Sequence, residues 1–135
     1  MKKKVKMLVD LFILIALPMQ IVCGRIGTAL HEWLGIAVFL LFLLHHGLNW
    51  RWYKNLLGGR YSAVRLGSLL VNVLLFALMF AVPVSGLARA EHVSLLHRIQ
   101  VYDERVFHPA AAYLICVLIT IHVGLHGAVM HGTGD

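Results

Sequence analysis

Four apolar runs divide the chain, at about 7–23, 31–48, 66–87 and 110–130, with the charged residues gathered mostly between them. Each run is near the ~20 residues that cross hydrocarbon as an α-helix. The pattern predicts an all-α protein of one domain, residues 1–135, in which four transmembrane helices form an up-and-down bundle. Against that background the informative positions are the polar ones inside the runs. The second run, HEWLGIAVFLLFLLHHGLNW (31–50), opens on His31 and carries His45 and His46 near its far end. A histidine in hydrocarbon is expensive unless it is paired or bound.

A search for internal repeats shows what these histidines have in common. The segment 31–50 aligns with HPAAAYLICVLITIHVGLHG (108–127), and both read H-x13-H-x-G-L. His31, His45, Gly47 and Leu48 match His108, His122, Gly124 and Leu125, and small residues, Gly35 and Ala112, occupy the fifth position of each copy. Fourteen steps of ~1.5 Å and ~100° place the two histidines of a copy ~21 Å apart and within ~40° of one face of a helix. His46 lies ~100° around from His45, so the repeat selects His45 as the inward member.

Spans two and four of an up-down bundle run in the same direction. His31 and His108 therefore form a first level, and His45 and His122 a second. Imidazole suits iron from either side of a flat porphyrin, and Gly35, Ala112, Gly47 and Gly124 are small where a bulky side chain would collide. Two b-type haems between spans two and four are expected, with His31, His108, His45 and His122 as axial ligands and Gly35 and Ala112 against the cofactor. A zinc or copper site is the other metal reading, but it would gather its ligands at one level. Gly47 and Gly124 lie ~200° from their histidines, which assigns them to close approach of a neighbouring helix.

Composition confirms the solvent. Of 135 residues, 60% are hydrophobic and 13% charged, far too apolar for a soluble domain of this size. The net charge of +6 is distributed as flanks of spans and not as a basic domain, so nucleic acid is not an expected partner; lipid is. Lys2, Lys3, Lys4, Lys6, Arg51, Lys54, Arg60 and Arg65 lie on one side, against Arg25, Arg89, Arg98 and Arg105 on the other. By the positive-inside rule both termini are cytoplasmic and the first level faces outward. The basic start and apolar core of the first run also suit a signal peptide, but no A-x-A site follows, so an uncleaved span is expected.

Cys23 and Cys116 are too few for a disulfide framework, and no C-x-x-C-H is present, so haem would be held without covalent attachment. Trp50, Trp52 and Tyr53 read as an interfacial aromatic belt. Asp10 and Asn72 sit just inside the cytoplasmic ends of spans one and three, where three roles are open: a hydrogen bond to each other, proton movement for a quinone, or simple helix-end residues reaching the surface. Arg25, Arg89, Arg98 and Arg105, and on the other side Arg51 and Arg65, are candidates to pair with propionates. His126 follows His122 by one turn, while His92, His97 and His131 read as surface residues.

With KKKVKMLVDLF at the start, HEWLGIAVFLLFLLHHGLNWRWYKN in the middle and HPAAAYLICVLITIHVGLHG near the end, the chain resembles the small flavinylation-associated cytochromes, four-helix bacterial membrane proteins. The resemblance covers nearly the whole chain and is strongest over 31–55 and 108–127. It implies a bis-haem carrier in the bacterial cytoplasmic membrane, passing electrons from the quinone pool to an extracytoplasmic flavin-bearing protein. Similar histidine pairs occur in quinol-oxidising and ferric-reductase-like cytochromes b, which leaves a membrane enzyme subunit as the alternative. Nothing in the chain binds flavin or nicotinamide by itself, for it has no glycine-rich dinucleotide loop.

Overall fold

The computed structural model describes residues 2–56, 58, 62–92 and 104–130. Five helices follow one another: α1 (Lys2–Ile26), α2 (Thr28–Leu48), the single turn α3 (Trp50–Lys54), α4 (Ala63–Arg89) and α5 (Glu104–Met130). The four long ones correspond to the four apolar runs, and each is long and apolar enough to cross a membrane. They outrun the sequence boundaries, because Lys2–Lys6, Arg25, Arg89 and Arg105 end an apolar window without ending the i→i−4 ladder. The aromatic belt at 50–53 is helical too, as α3, and Arg65 clamps its exit by donating to the carbonyls of Asn55, Leu56 and Gly58.

α1 packs along α2 and α4 along α5, two tight hairpins; the hairpins meet more sparingly, α2 on α4 and α1 on α5. The helices thus form the ring α1–α2–α4–α5, with α2 and α5 at opposite corners. Direction follows from side-chain contacts: Asp10 near the start of α1 meets His45 near the end of α2, and Asn72 near the start of α4 meets His122 late in α5. Each hairpin is antiparallel, and His31 early in α2 meets His108 early in α5 while His45 and His122 lie within electrostatic range late in both, so α2 and α5 run parallel as the repeat requires.

The centre of the bundle is filled by Val38, Phe42, Leu75, Met79, Ile115 and Leu118, a plug between the two histidine levels. Elsewhere the helices turn apolar residues outward: only 11% of three span windows and 17% of the fourth are buried. Leu11, Phe12, Leu40, Leu70, Val73 and Val117 are among the large side chains left exposed. Apolar surface on this scale is stable against lipid and not against water.

A candidate two-level histidine site

The first level joins the N-terminal parts of α2 and α5. The rings of His31 and His108 stand edge to face with centroids 5.9 Å apart. At the ~2.0–2.1 Å of a metal–imidazole bond, a metal between two opposed histidines leaves ring centroids roughly 6 Å apart, so the spacing fits a shared metal. Both rings are anchored by main-chain oxygen. His31 Nδ1 donates to the Gln20 carbonyl at 2.9 Å, and His108 Nδ1 to the Val82 carbonyl at 3.0 Å, with Ser85 Oγ also 3.0 Å away. Ser85 is wholly buried and donates its own proton to the Val82 carbonyl at 2.8 Å.

These contacts depend on two glycines. A Cβ at Gly24 would lie 3.2 Å from His31 Nδ1, and one at Gly86 2.9 Å from His108 Cε1. Each glycine follows its acceptor carbonyl by one helical turn and opens the groove through which the imidazole reaches the backbone. The glycines singled out by the sequence repeat behave otherwise. No described atom lies within 4 Å of a Cβ at Gly47 or Gly124, so neither serves close helix approach there; small residues do that work on α1 and α4 instead.

A cavity of about 660 Å³ opens at this level, lined by His31, His108, Gly24, Gly86, Gly35 and Ala112. It falls within the ~300–1,000 Å³ usual for a ligand pocket. Gly35 has a second use. The Gln20 amide end stands 2.8 Å from where its Cβ would be, and that amide accepts from the Gly35 N–H at 2.7 Å and donates to the His31 carbonyl at 3.2 Å. Arg25, Arg89, Glu32 and Glu91 border the cavity. Glu32 accepts from the backbone N–H groups of Glu91 and His92, both at 2.9 Å, and pairs with His92 Nδ1 at 3.5 Å, tying the end of α4 to the start of α2. Nothing in the sequence pattern marked Glu32, and His92, exposed as expected, has this partner. His97, His131, Arg60 and Arg98 lie outside the described residues.

The second level is built from side chains. His45 Nδ1 donates to Asp10 Oδ1 and His122 Nδ1 to Asn72 Oδ1, each at 2.6 Å. Asp10 and Asn72 therefore do not bond to each other, nor are they idle helix ends; each orients one histidine from the adjoining helix of its hairpin. His45 and His122 lie within electrostatic range of each other without ring contact. His126 stacks edgewise on His122 at 4.6 Å and is exposed.

His46 points into the α2–α4 seam, against Phe42 at 4.3 Å and Phe76 at 5.1 Å. Its Nδ1 meets the Tyr53 hydroxyl. Burial pushes that phenol above its usual range, so it stays protonated.

In His31, His45, His108 and His122 the acceptors are oxygens, which places the proton on Nδ1 and leaves the Nε2 lone pair for a metal. Among the described residues no hydrogen bond occupies any of these Nε2 atoms, and no three His, Cys, Asp or Glu side chains converge to hold a metal ion by themselves. Two donors meeting from parallel helices, as His31 and His108 do, suit a metal whose remaining positions come from a planar macrocycle.

The orienting groups themselves repeat. Asp10, Gln20, Cys23 and Gly24 of α1 correspond to Asn72, Val82, Ser85 and Gly86 of α4 at a constant offset of 62 residues, as the histidines of α2 and α5 do at 77. The two hairpins are versions of one design. Among known protein families, curated proteins and solved structures, none matches this chain.

Proposed function

We propose that this protein is a transmembrane electron-transfer cytochrome holding two b-type haems, one at each histidine level, in a bacterial cytoplasmic membrane with both termini inside. The observation that carries the reading is that four intramembrane histidines, two on each of two parallel helices, all spend Nδ1 on a fixed oxygen and keep Nε2 open. A haem bound by two histidines supplies a reversible one-electron couple with both axial positions filled, which favours electron transfer over oxygen activation.

The chain's part is to hold and orient. Main-chain carbonyls and Asp10 and Asn72 set the ring angles, and the glycines at 24 and 86 leave room for them. Arg25 and Arg89 at the cavity rim supply guanidinium groups for propionate carboxylates. The apolar plug around Val38, Phe42 and Ile115 keeps water out between the levels. Electrons enter from a membrane quinol on the cytoplasmic side and leave to a flavin-bearing protein outside.

Pyridine haemochrome analysis of the purified protein tests this, with two haems per chain expected. His31→Ala and His108→Ala should each lose the same haem, and His45→Ala and His122→Ala the other. A protein free of haem, or a His31→Ala spectrum matching His45→Ala and not His108→Ala, refutes the reading.

A further inference from the structure

Three of the four level-forming histidines donate Nδ1–H to a neutral oxygen: the Gln20 carbonyl, the Val82 carbonyl with the Ser85 hydroxyl, and the Asn72 amide. The fourth, His45, donates to a carboxylate, Asp10. Asp10 and Asn72 occupy the same place in the repeated hairpins and reach their histidines at the same 2.6 Å. The acceptor is thus a carboxylate in one hairpin and a neutral amide in the other, and Asn49 Nδ2 also stands 3.4 Å from His45 Nδ1. Resting on the two-haem reading above, we infer that Asp10 is a positioning residue that makes the second-level haem the lower-potential of the two, so that electrons run downhill from the second level to the first.

The cause is chemical. A carboxylate accepting from the Nδ1–H of a ligated imidazole draws the proton toward itself, which makes the ligand more basic and a stronger donor to the metal. A stronger donor stabilises the oxidised metal, and hydrogen bonding behind an axial ligand is one of the protein's levers on potential. At the first level both ligands donate to uncharged oxygen, with no carboxylate behind either imidazole. In each transfer one electron passes, the second-level site is oxidised by one and the first reduced by one, and no bond is made or broken. One quinol supplies two electrons in two such transfers, releasing two protons on its own side, and the external flavin takes both electrons.

Spectroelectrochemical titration of the purified haem-loaded protein decides the matter. His45→Ala identifies the second-level couple as the one that disappears, and in the wild type that couple should be the lower. Asp10→Asn installs the residue the other hairpin already uses, so it should keep two haems, raise the second-level midpoint and leave the first unmoved. Asp10→Glu should restore the low value, and Asn72→Asp should lower the same couple further. A merely structural Asp10 would alter haem content or melting without moving one midpoint selectively. An unmoved second-level couple in Asp10→Asn with both haems present, or a wild-type second-level couple above the first, overturns the inference. Should Asp10→Asn shed its haem, Asn72→Asp decides: a fall of the second-level midpoint supports the inference and no change overturns it. A wild-type protein without haem defeats the two-haem reading itself, a separate and recognisable result.

Discussion

The two histidine levels solve the same orientation problem with different materials. At the first, the imidazoles reach past glycines to main-chain carbonyls, and the acceptor exists whatever side chain residues 20 and 82 carry. At the second, polar side chains projecting from α1 and α4 do the accepting. The first is therefore sensitive to what is added and the second to what is removed. Backbone acceptors give a neutral, rigid setting; side-chain acceptors can be exchanged for charge, and in one hairpin they are.

The sharpest way to break this contrast is to add atoms at the first level. Gly86→Val places a branched side chain where even a Cβ would be 2.9 Å from His108. The ring, held by Val82 and Ser85, must leave its position. Haem content should fall to about half, with the His31/His108 haem the one lost, as its spectrum relative to His31→Ala would show.

Removing an atom at the same level should do much less. Ser85→Ala deletes a wholly buried hydroxyl, but the Val82 carbonyl remains for His108. The expected cost is about 1 kcal/mol of stability, read as a lower melting temperature in detergent with both haems retained. At the second level, Tyr53→Phe removes the hydroxyl that His46 meets. Both haems should stay, with a destabilisation of about 0.5–1.5 kcal/mol; loss of the second haem would show that His46 and not His45 is the ligand. The smallest effect is expected where the sequence repeat drew most notice. Gly47→Val and Gly124→Val, with no described atom within 4 Å of the added Cβ, should leave haem content and melting within error, and a lost haem in either would place that glycine against the cofactor.

The same division explains what could be read in advance. Apolar runs announce spans, and a histidine pair repeated at equal spacing announces which residues share a level, because both depend on residue type. Asp10 and Asn72 were visible as polar residues in spans, but their partners were not, since hydrogen bonding to a histidine 35 or 50 positions away is set by helix rotation. The carbonyls of Gln20 and Val82 were invisible, for every residue has one. Gly24 and Gly86 carried a signal in their 62-residue offset, but the residues around them are replaced by others of similar size, Cys23 by Ser85 and Gln20 by Val82, so the repeat of α1 and α4 emerges only once its contacts are known. Glu32 looked like one more charge at a helix start; its two backbone partners lie some sixty residues on.

The division of the bundle into two tightly packed hairpins that meet only lightly has a consequence for assembly. Each hairpin can enter the membrane as a finished unit, carrying one histidine of each pair already aimed by its own partner helix. The units are joined by the shared apolar core and the Glu32 tie, and any ligand gripped by the paired histidines would add to that cohesion, by the linkage through which a ligand of the folded state adds to its stability. Such a ligand would then tighten a seam that the helices alone close only loosely.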